Sequence, residues 1–308
     1  MITSINSLCT AAKARGKRTL AVACAQDGPV LLAVEYVRKE NIADAVLIGN
    51  GTLIQRVAAD YGIDTANYRI IDEPDNAEAC RRAVSLVRSG QADAVMKGIV
   101  ETAVILKAVL DKESGLRKAK LLSHVALFEV PGFDRILFMT DGGMNIAPDI
   151  EAKKELIRNA VSVAKALGND KPKVACLCAT EKVNPKMPAT LDAALLAEAA
   201  QKGELEGCTV SGPLALDNAI NVEAARHKGI NDPNAGLADI LLVPDIETGN
   251  VFYKSLVYFA HASTAGIIAG AAAPVIVTSR ADSKQTKINS ILLALALAEG
   301  KGEGREGI

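Results

Sequence analysis

Pro274-Val275-Ile276-Val277-Thr278-Ser279-Arg280-Ala281-Asp282-Ser283 runs directly towards the apolar segment 288–298. The β-branched stretch 275–278 reads as a buried strand. Lys287-Ile288-Asn289-Ser290-Ile291-Leu292-Leu293 reads as the helix that follows it. One strand-to-helix turn therefore gathers a hydroxyl, a guanidinium and a carboxylate. In open α/β sheets such turns lie at the carboxyl edge of the strands, where ligands bind. Arg280 offers a planar fork of donors suited to phosphate, and the helix start adds backbone N–H groups and a positive dipole end. The stretch reads as an oxyanion site beside a reacting group. Plainer readings stand next to it. Asp282 with Gln285 makes a helix-capping pair, and an exposed Arg280 ion pair is worth less than ~1 kcal/mol.

Working outward, strand and helix patterns alternate almost throughout. Strands are expected at 20–24, 45–48, 68–71, 92–96, 121–128 and 135–139. Helices are expected at 30–39, 53–61, 76–89, 100–110 and 151–167. Beyond these come strands at 174–178, 208–211 and 240–243, helices at 191–201 and 222–226, and a long helical run at 251–269. Alternating βα units predict a largely parallel sheet covered by helices on both faces. Turn-rich Thr140-Asp141-Gly142-Gly143-Met144-Asn145-Ile146-Ala147-Pro148 marks a domain crossing, and a second is expected near residues 269–274. The expected domains are 1–139 with 272–308, and 140–271. The Gly-rich, charged tail 300–307 is expected to be disordered.

The chain has 308 residues, 49% hydrophobic and 23% charged, with a formal charge of −1. That is a globular profile large enough for two domains, and it gives no reason to expect nucleic acid or membrane as partners. An anion must then be bound by a few placed residues. Trp is absent and aromatics make up 3%, which argues against a carbohydrate or base-stacking platform. Met1–Asn6 lacks a charged leader followed by an apolar block, and the six cysteines form no CxxC pair. Reduced thiols and a cytoplasmic location are expected. Cys176 and Cys178 share a strand face that could suit a metal, but buried thiols explain them more simply. No metal site is expected.

Three further constellations carry chemistry. Met96-Lys97-Gly98-Ile99-Val100-Glu101-Thr102 follows a strand and opens a helix: Lys97 can meet an anion and Gly98 can allow close backbone approach. Leu122-Ser123-His124-Val125 puts one of the chain's 3 histidines among apolar residues. A satisfied core histidine is the default there, and the neighbouring Ser123 favours a polar role. Asn250 and Lys254 are four apart at a helix start that can receive a carboxylate, phosphate or carbonyl oxygen; a solvated helix start fits equally. Neither GxGxxG nor GxxxxGK[ST] is present, so the usual dinucleotide and P-loop signatures are missing.

Together these motifs resemble the phosphate acetyltransferase/phosphate butyryltransferase family, over about residues 18–298. The combination is Met96-Lys97-Gly98 with Thr102, Leu122-Ser123-His124-Val125, Thr140-Asp141-Gly142-Gly143-x-Asn145-Ile146, Ser211-Gly212-Pro213-Leu214, Asp239-Ile240-Leu241-x-Val243-Pro244-Asp245, Gly249-Asn250-x-x-x-Lys254 and Thr278-Ser279-Arg280-Ala281-Asp282-Ser283. The Lys-Gly, Ser-His-Val and Ser-Arg-Ala-Asp-Ser forms look more like the butyryltransferase branch.

The resemblance implies two α/β/α domains with an interdomain cleft, similar to isocitrate and isopropylmalate dehydrogenases. It implies a homo-oligomer, at least a dimer. The implied reaction is reversible transfer of a short-chain acyl group between CoA and inorganic phosphate, both substrates, with no cofactor. In the acetyltransferase branch the motif is Ser-Arg-x-x-Ser-x-x-Asp: Ser for the carbonyl, Arg for phosphate, the distal Asp as base. Ser279, Arg280 and Ser283 match. The distal acid falls on Thr286, which cannot be a base, so Asp282 is the nearest substitute. The candidate catalytic set is Ser279 and Arg280, which match the motif, with Asp282, taken for its proximity alone; the candidate substrate-binding set is Lys97, Gly98, Thr102, Ser123, His124, Asn250, Lys254 and Ser283. Acetyl-CoA is the alternative substrate. An NAD(P)-dependent decarboxylating dehydrogenase of the same fold would need a metal-binding acidic cluster, and Asp141, Asp217, Asp239 and Asp245 do not form an Asp-x-x-x-Asp run. A non-catalytic sensor of acyl phosphate or CoA esters is the non-enzyme alternative.

Overall fold

A computed structural model describes residues 2–298; the tail at 300–307 lies outside the described residues. Two compact units divide the chain: Asn6–Ala119 with the residues from Ala265 on, and Lys120–Thr264 with the first five residues. The crossings thus come earlier in the chain than the turn-rich segments at 140–148 and 269–274.

The first unit contains α1 (Ser7–Ala14), β1 (Arg18–Ala23), α2 (Gly28–Lys39), β2 (Ala43–Gly49), α3 (Gly51–Asp60), β3 (Arg69–Asp72), α4 (Asn76–Arg88), β4 (Ala94–Lys97) and α5 (Thr102–Val109). The second contains β5 (Ser123–Glu129), β6 (Leu137–Thr140), α6 (Ile150–Ala166), β7 (Lys173–Leu177), α7 (Pro188–Gln201), β8 (Thr209–Leu214), α8 (Leu216–Ile220), α9 (Val222–His227), β9 (Ile240–Leu242) and α10 (Ile246–Tyr258). β10 (Ser263–Ala269) returns the chain to the first unit, which ends with β11 (Val275–Ile276) and α11 (Lys284–Leu297).

In the first unit the strand order is β3-β2-β1-β4-β11-β10, parallel except for the antiparallel β10–β11 pair. Leu20 to Ala23 and every residue of β4 are buried, so both faces of these strands are covered. α11 packs on both α1 and α2, and α4 packs on α5. The register pairs Ala23 with Lys97 and Ile276 with Met96. Parallel pairing therefore brings the carboxyl ends of β1, β4 and β11 to one edge.

In the second unit the order is β5-β6-β9-β7-β8, with only β5–β6 antiparallel among these pairs. Its apolar core includes Phe128, Met139, Ala175 and Leu241, with Phe252, Tyr253 and Leu256 of α10 packed against it. Asp149 caps α6 by accepting the Ala152 N–H at 2.8 Å, and Asp245 caps α10 through the Thr248 N–H at 2.8 Å.

The helical run expected at 251–269 is corrected. α10 stops at Tyr258, His261 takes the left-handed conformation at φ 51°, and 263–269 is a strand. Thr264, Ile267 and Ile268 are β-branched and all buried, which favours the extended form. β11 is also shorter than expected and ends at Ile276, which leaves Val277 and Thr278 in the turn.

Candidate functional site

At the edge of the first unit, residues after β4 and β11 build one polar cluster. Lys97 ends β4, is 5% exposed, and donates through Nζ to the carbonyls of Gly98 (3.3 Å) and Val100 (3.1 Å). Burial lowers its pKa from the ordinary 10.5, and the nearby Arg280 guanidinium lowers it further. Gly98 is required by its neighbour: a Cβ there would sit 2.1 Å from the Cys24 carbonyl oxygen. Its N–H donates to the Ala23 carbonyl at 2.8 Å, so the loop after β4 is laid against the end of β1. Thr102, half-buried, is the first residue of α5.

The turn after β11 is braced from within. Asp282 accepts the Ser279 backbone N–H at 2.7 Å, and Ser279 Oγ accepts the Ala281 N–H at 3.3 Å. Ser279 and Arg280 are exposed. The expected Asp282–Gln285 cap is corrected: the cap of α11 is Ser283, whose Oγ accepts the Thr286 N–H at 3.0 Å. Ser283 Oγ also bonds Thr286 Oγ1 at 3.1 Å, so its hydroxyl serves the helix start. The sequence reading missed Lys287. This residue is 2% exposed, and its Nζ donates to the carbonyls of Ser279 (2.8 Å) and Asp282 (3.0 Å). The signal available was a lone lysine opening the apolar run of α11. Lys97, Arg280 and Lys287 thus concentrate positive charge at one strand edge. Asp27, the cap of α2, acts on both lysines as the opposing carboxylate.

The second unit has its own cluster. Asp141 is 2% exposed and follows β6. Its carboxylate accepts the backbone N–H groups of Gly143 (2.8 Å), Met144 (3.0 Å) and His124 (3.2 Å), and Asn145 Nδ2 at 2.6 Å. It thereby fixes the loop 141–145 against the start of β5. The His124 ring lies against Gly143 and 6.2 Å from the Tyr253 ring of α10. Asn250 and Lys254 are exposed on α10, and Asn250 Nδ2 is 3.5 Å from the Gly142 carbonyl.

Ser123, expected among the substrate contacts, sits in the packing between β5 and α6. It is 0% exposed and accepts from Asn159 Nδ2 at 3.0 Å, which ties β5 to α6. A serine in an apolar strand gives no hint of a polar helix partner until the helix is packed. The four aspartates considered for a dehydrogenase metal are each engaged: Asp141 as above, Asp217 with Lys228, Asp239 with the Lys173 N–H, and Asp245 as a cap. Burial raises the thiol pKa of Cys176, and that of Cys178 to about 11.

The chemistry this permits is anion binding at the first cluster, by exposed Arg280 backed by two buried ammonium groups. Among the described residues no helix is long and apolar enough to cross a membrane.

Comparison with known proteins agrees with the motif reading. Residues 73–295 match the family model described as phosphate acetyl/butaryl transferase. Phosphate butyryltransferase of Clostridium acetobutylicum is 50% identical over 98% of this chain and 100% of its own length. Phosphate acetyltransferase of Thermotoga maritima is 44% identical over 96% of this chain and 99% of its own. The crystal structure of a branched-chain phosphotransacylase from Enterococcus faecalis superposes with a TM-score of 0.82 at 36% identity, covering 91% of this chain and 98% of that one. The chain belongs to the phosphate acetyl/butyryl transferase family.

Proposed function

We propose that this enzyme is a phosphate butyryltransferase that converts butyryl-CoA and inorganic phosphate reversibly into butyryl phosphate and CoA. The observation that carries the reading is the exposed Ser279-Arg280 turn at the carboxyl edge of β11, beside buried Lys97. The 50% identity to a phosphate butyryltransferase favours butyryl over acetyl. The 44% identity to a phosphate acetyltransferase keeps acetyl-CoA as the second reading.

In this proposal a phosphate oxygen attacks the thioester carbonyl, a tetrahedral oxyanion forms, and CoA leaves as thiolate and takes up a proton. Arg280 holds phosphate. The Ser279 hydroxyl receives the oxyanion, an effect typically worth ~3–4 kcal/mol per donor. Asp282 belongs to the catalytic turn through its bond to the Ser279 N–H. The thiolate, from a thiol of ordinary pKa near ~8.5, is stabilised by the cationic cluster around Lys97. His124, Asn250 and Lys254 are the contacts proposed from the second unit; Gly98 and Thr102 shape the loop carrying Lys97. No cofactor and no metal take part in this scheme.

The finer fold reading belongs to the same proposal: two domains of the isocitrate/isopropylmalate dehydrogenase type. So do a cytoplasmic location and assembly as at least a dimer. Val251, Tyr258 and Phe259, 65%, 62% and 86% exposed on and just after α10, support self-association.

The deciding experiment follows release of free thiol from butyryl-CoA and from acetyl-CoA, each with phosphate. Faster phosphate-dependent release from butyryl-CoA is expected. Preference for acetyl-CoA favours the acetyltransferase, and ligand binding without thiol release favours a sensor.

A further inference from the structure

We propose that Lys287 is a positioning residue for the tetrahedral dianion, phosphate or acyl phosphate: its buried ammonium group ties the carbonyls of Ser279 and Asp282 and so fixes the direction in which Arg280 leaves the turn. The inference rests on the acyl-transfer reading above.

Lys287 stands where helix rules disfavour it. It lies in the first turn of α11, where the dipole repels a cation, and it is 2% exposed. Burying an ammonium group is costly unless its donors are used. Asp282 and Asp27 act on it only from beyond ion-pair distance, and burial outweighs them; its bonds go to the two carbonyls, at 2.8 and 3.0 Å. Locally unfavourable residues of this kind concentrate at functional sites.

The two carbonyls explain what the cost achieves. The Ser279 carbonyl belongs to the peptide group that joins Ser279 to Arg280. The Asp282 carbonyl belongs to the one leading into the Ser283 cap. A single ammonium group therefore anchors both ends of the turn, while the Asp282 carboxylate holds the preceding Ser279 N–H. The peptide planes on both sides of Ser279 are fixed, so the exposed Arg280 departs from a rigid base. A preset cation loses less entropy when it meets its anion. The ammonium group has three N–H bonds, and two are spent on the carbonyls. Lys97 across the cluster has the same arrangement, with two carbonyls of its own loop bound.

The test compares the unsubstituted enzyme with Lys287→Met and Lys287→Ala, assayed for thiol release with phosphate and butyryl-CoA varied in turn. Lys287→Met is expected to raise the KM for phosphate about tenfold or more, the loss of roughly one charge-assisted hydrogen bond, and to leave the KM for butyryl-CoA within about twofold. Ethylammonium chloride, which can refill the cavity of Lys287→Ala, is expected to restore phosphate affinity there; sodium chloride at equal ionic strength is not. A phosphate KM within about twofold of the parent in a cooperatively melting variant overturns the proposal. So does an equal loss for both substrates with no rescue by ethylammonium. No thiol release by the unsubstituted enzyme overturns the acyl-transfer reading itself, and the role of Lys287 falls with it; release there with unaffected variants overturns Lys287 alone.

Discussion

Asp282 and Ser279 close their turn on themselves: the Asp282 carboxylate accepts the Ser279 backbone N–H at 2.7 Å. A carboxylate spent in this way acts as a brace. Asn keeps an acceptor oxygen at the same place, and Ala keeps none. Asp282→Asn is therefore expected to retain most of the phosphate-dependent thiol release, and Asp282→Ala to lose about tenfold or more in kcat/KM. If Asp282 were instead the proton acceptor, both variants would lose activity alike and the pH–rate profile would lose its acidic limb. Steady-state kinetics of the two variants across pH separates these outcomes.

Arg280 is exposed, and its guanidinium is close enough to lower the pKa of buried Lys97. Two cations held this near each other are poised for an anion. Arg280→Ala is expected to raise the KM for phosphate by about 10- to 100-fold, the range for a lost charge-assisted hydrogen-bond pair, and to lower kcat as well. Arg280→Lys should recover only part of this, because a single ammonium group cannot reproduce the planar fork. Initial rates at varied phosphate with saturating butyryl-CoA measure both. Near-parental kinetics in Arg280→Ala would remove it from the site.

Much of this arrangement was legible beforehand, for reasons that are local. Strand β4 and the loop with Lys97 follow from an apolar run that ends in Lys-Gly, and the turn after β11 follows from Val275-Ile276 leading to polar residues. Most of the misreadings depend on what packs from a distance. Residues 251–269 are mostly apolar, and only the burial of 264–269 makes the second half a strand. Ser123 gives no sign of its bond to Asn159 until α6 is packed against β5. Asp282 and Ser283 are equally good caps by composition, and the length of the turn gives the cap to Ser283. Lys287 hides in an apolar helix because sequence does not reveal that two carbonyls lie within reach of its Nζ.

Burial lowers the pKa of Lys97 below the ordinary 10.5, and the same cause lowers that of Lys287. The sign follows from proton counting. Between the lowered folded value and 10.5 the unfolded chain binds more protons than the folded one, so these groups make stability rise with pH. The penalty for burying the charge is present at lower pH and is relieved as pH climbs through the folded pKa. Urea unfolding of the parent and of Lys97→Met at neutral pH and near the ordinary lysine pKa tests this. The difference in stability between the two proteins is expected to shift towards the parent as pH rises. A difference that is flat with pH would mean that the Lys97 ammonium group pays no desolvation cost in the fold.

Gly142 and Gly249 are packed backbone to backbone in the second unit. A Cβ on Gly249 would sit 2.6 Å from Gly142 Cα, and one on Gly142 would sit 2.9 Å from the Gly249 carbonyl carbon. Neither obstacle is a side chain that can swing aside, so Ala at either position must push the loop 141–145 away from α10. Overpacking of this kind typically costs about 1–3 kcal/mol. Gly249→Ala is expected to lower the urea midpoint by a corresponding amount with an unchanged m-value. The displaced loop also carries Asp141, whose carboxylate holds the His124 N–H, and the helix carries Asn250 and Lys254. The KM for butyryl-CoA should therefore rise in Gly249→Ala more than the KM for phosphate, since phosphate is assigned to Arg280 in the other unit. Equal increases for both substrates would show that the loop and α10 take no separate part in holding the acyl-CoA.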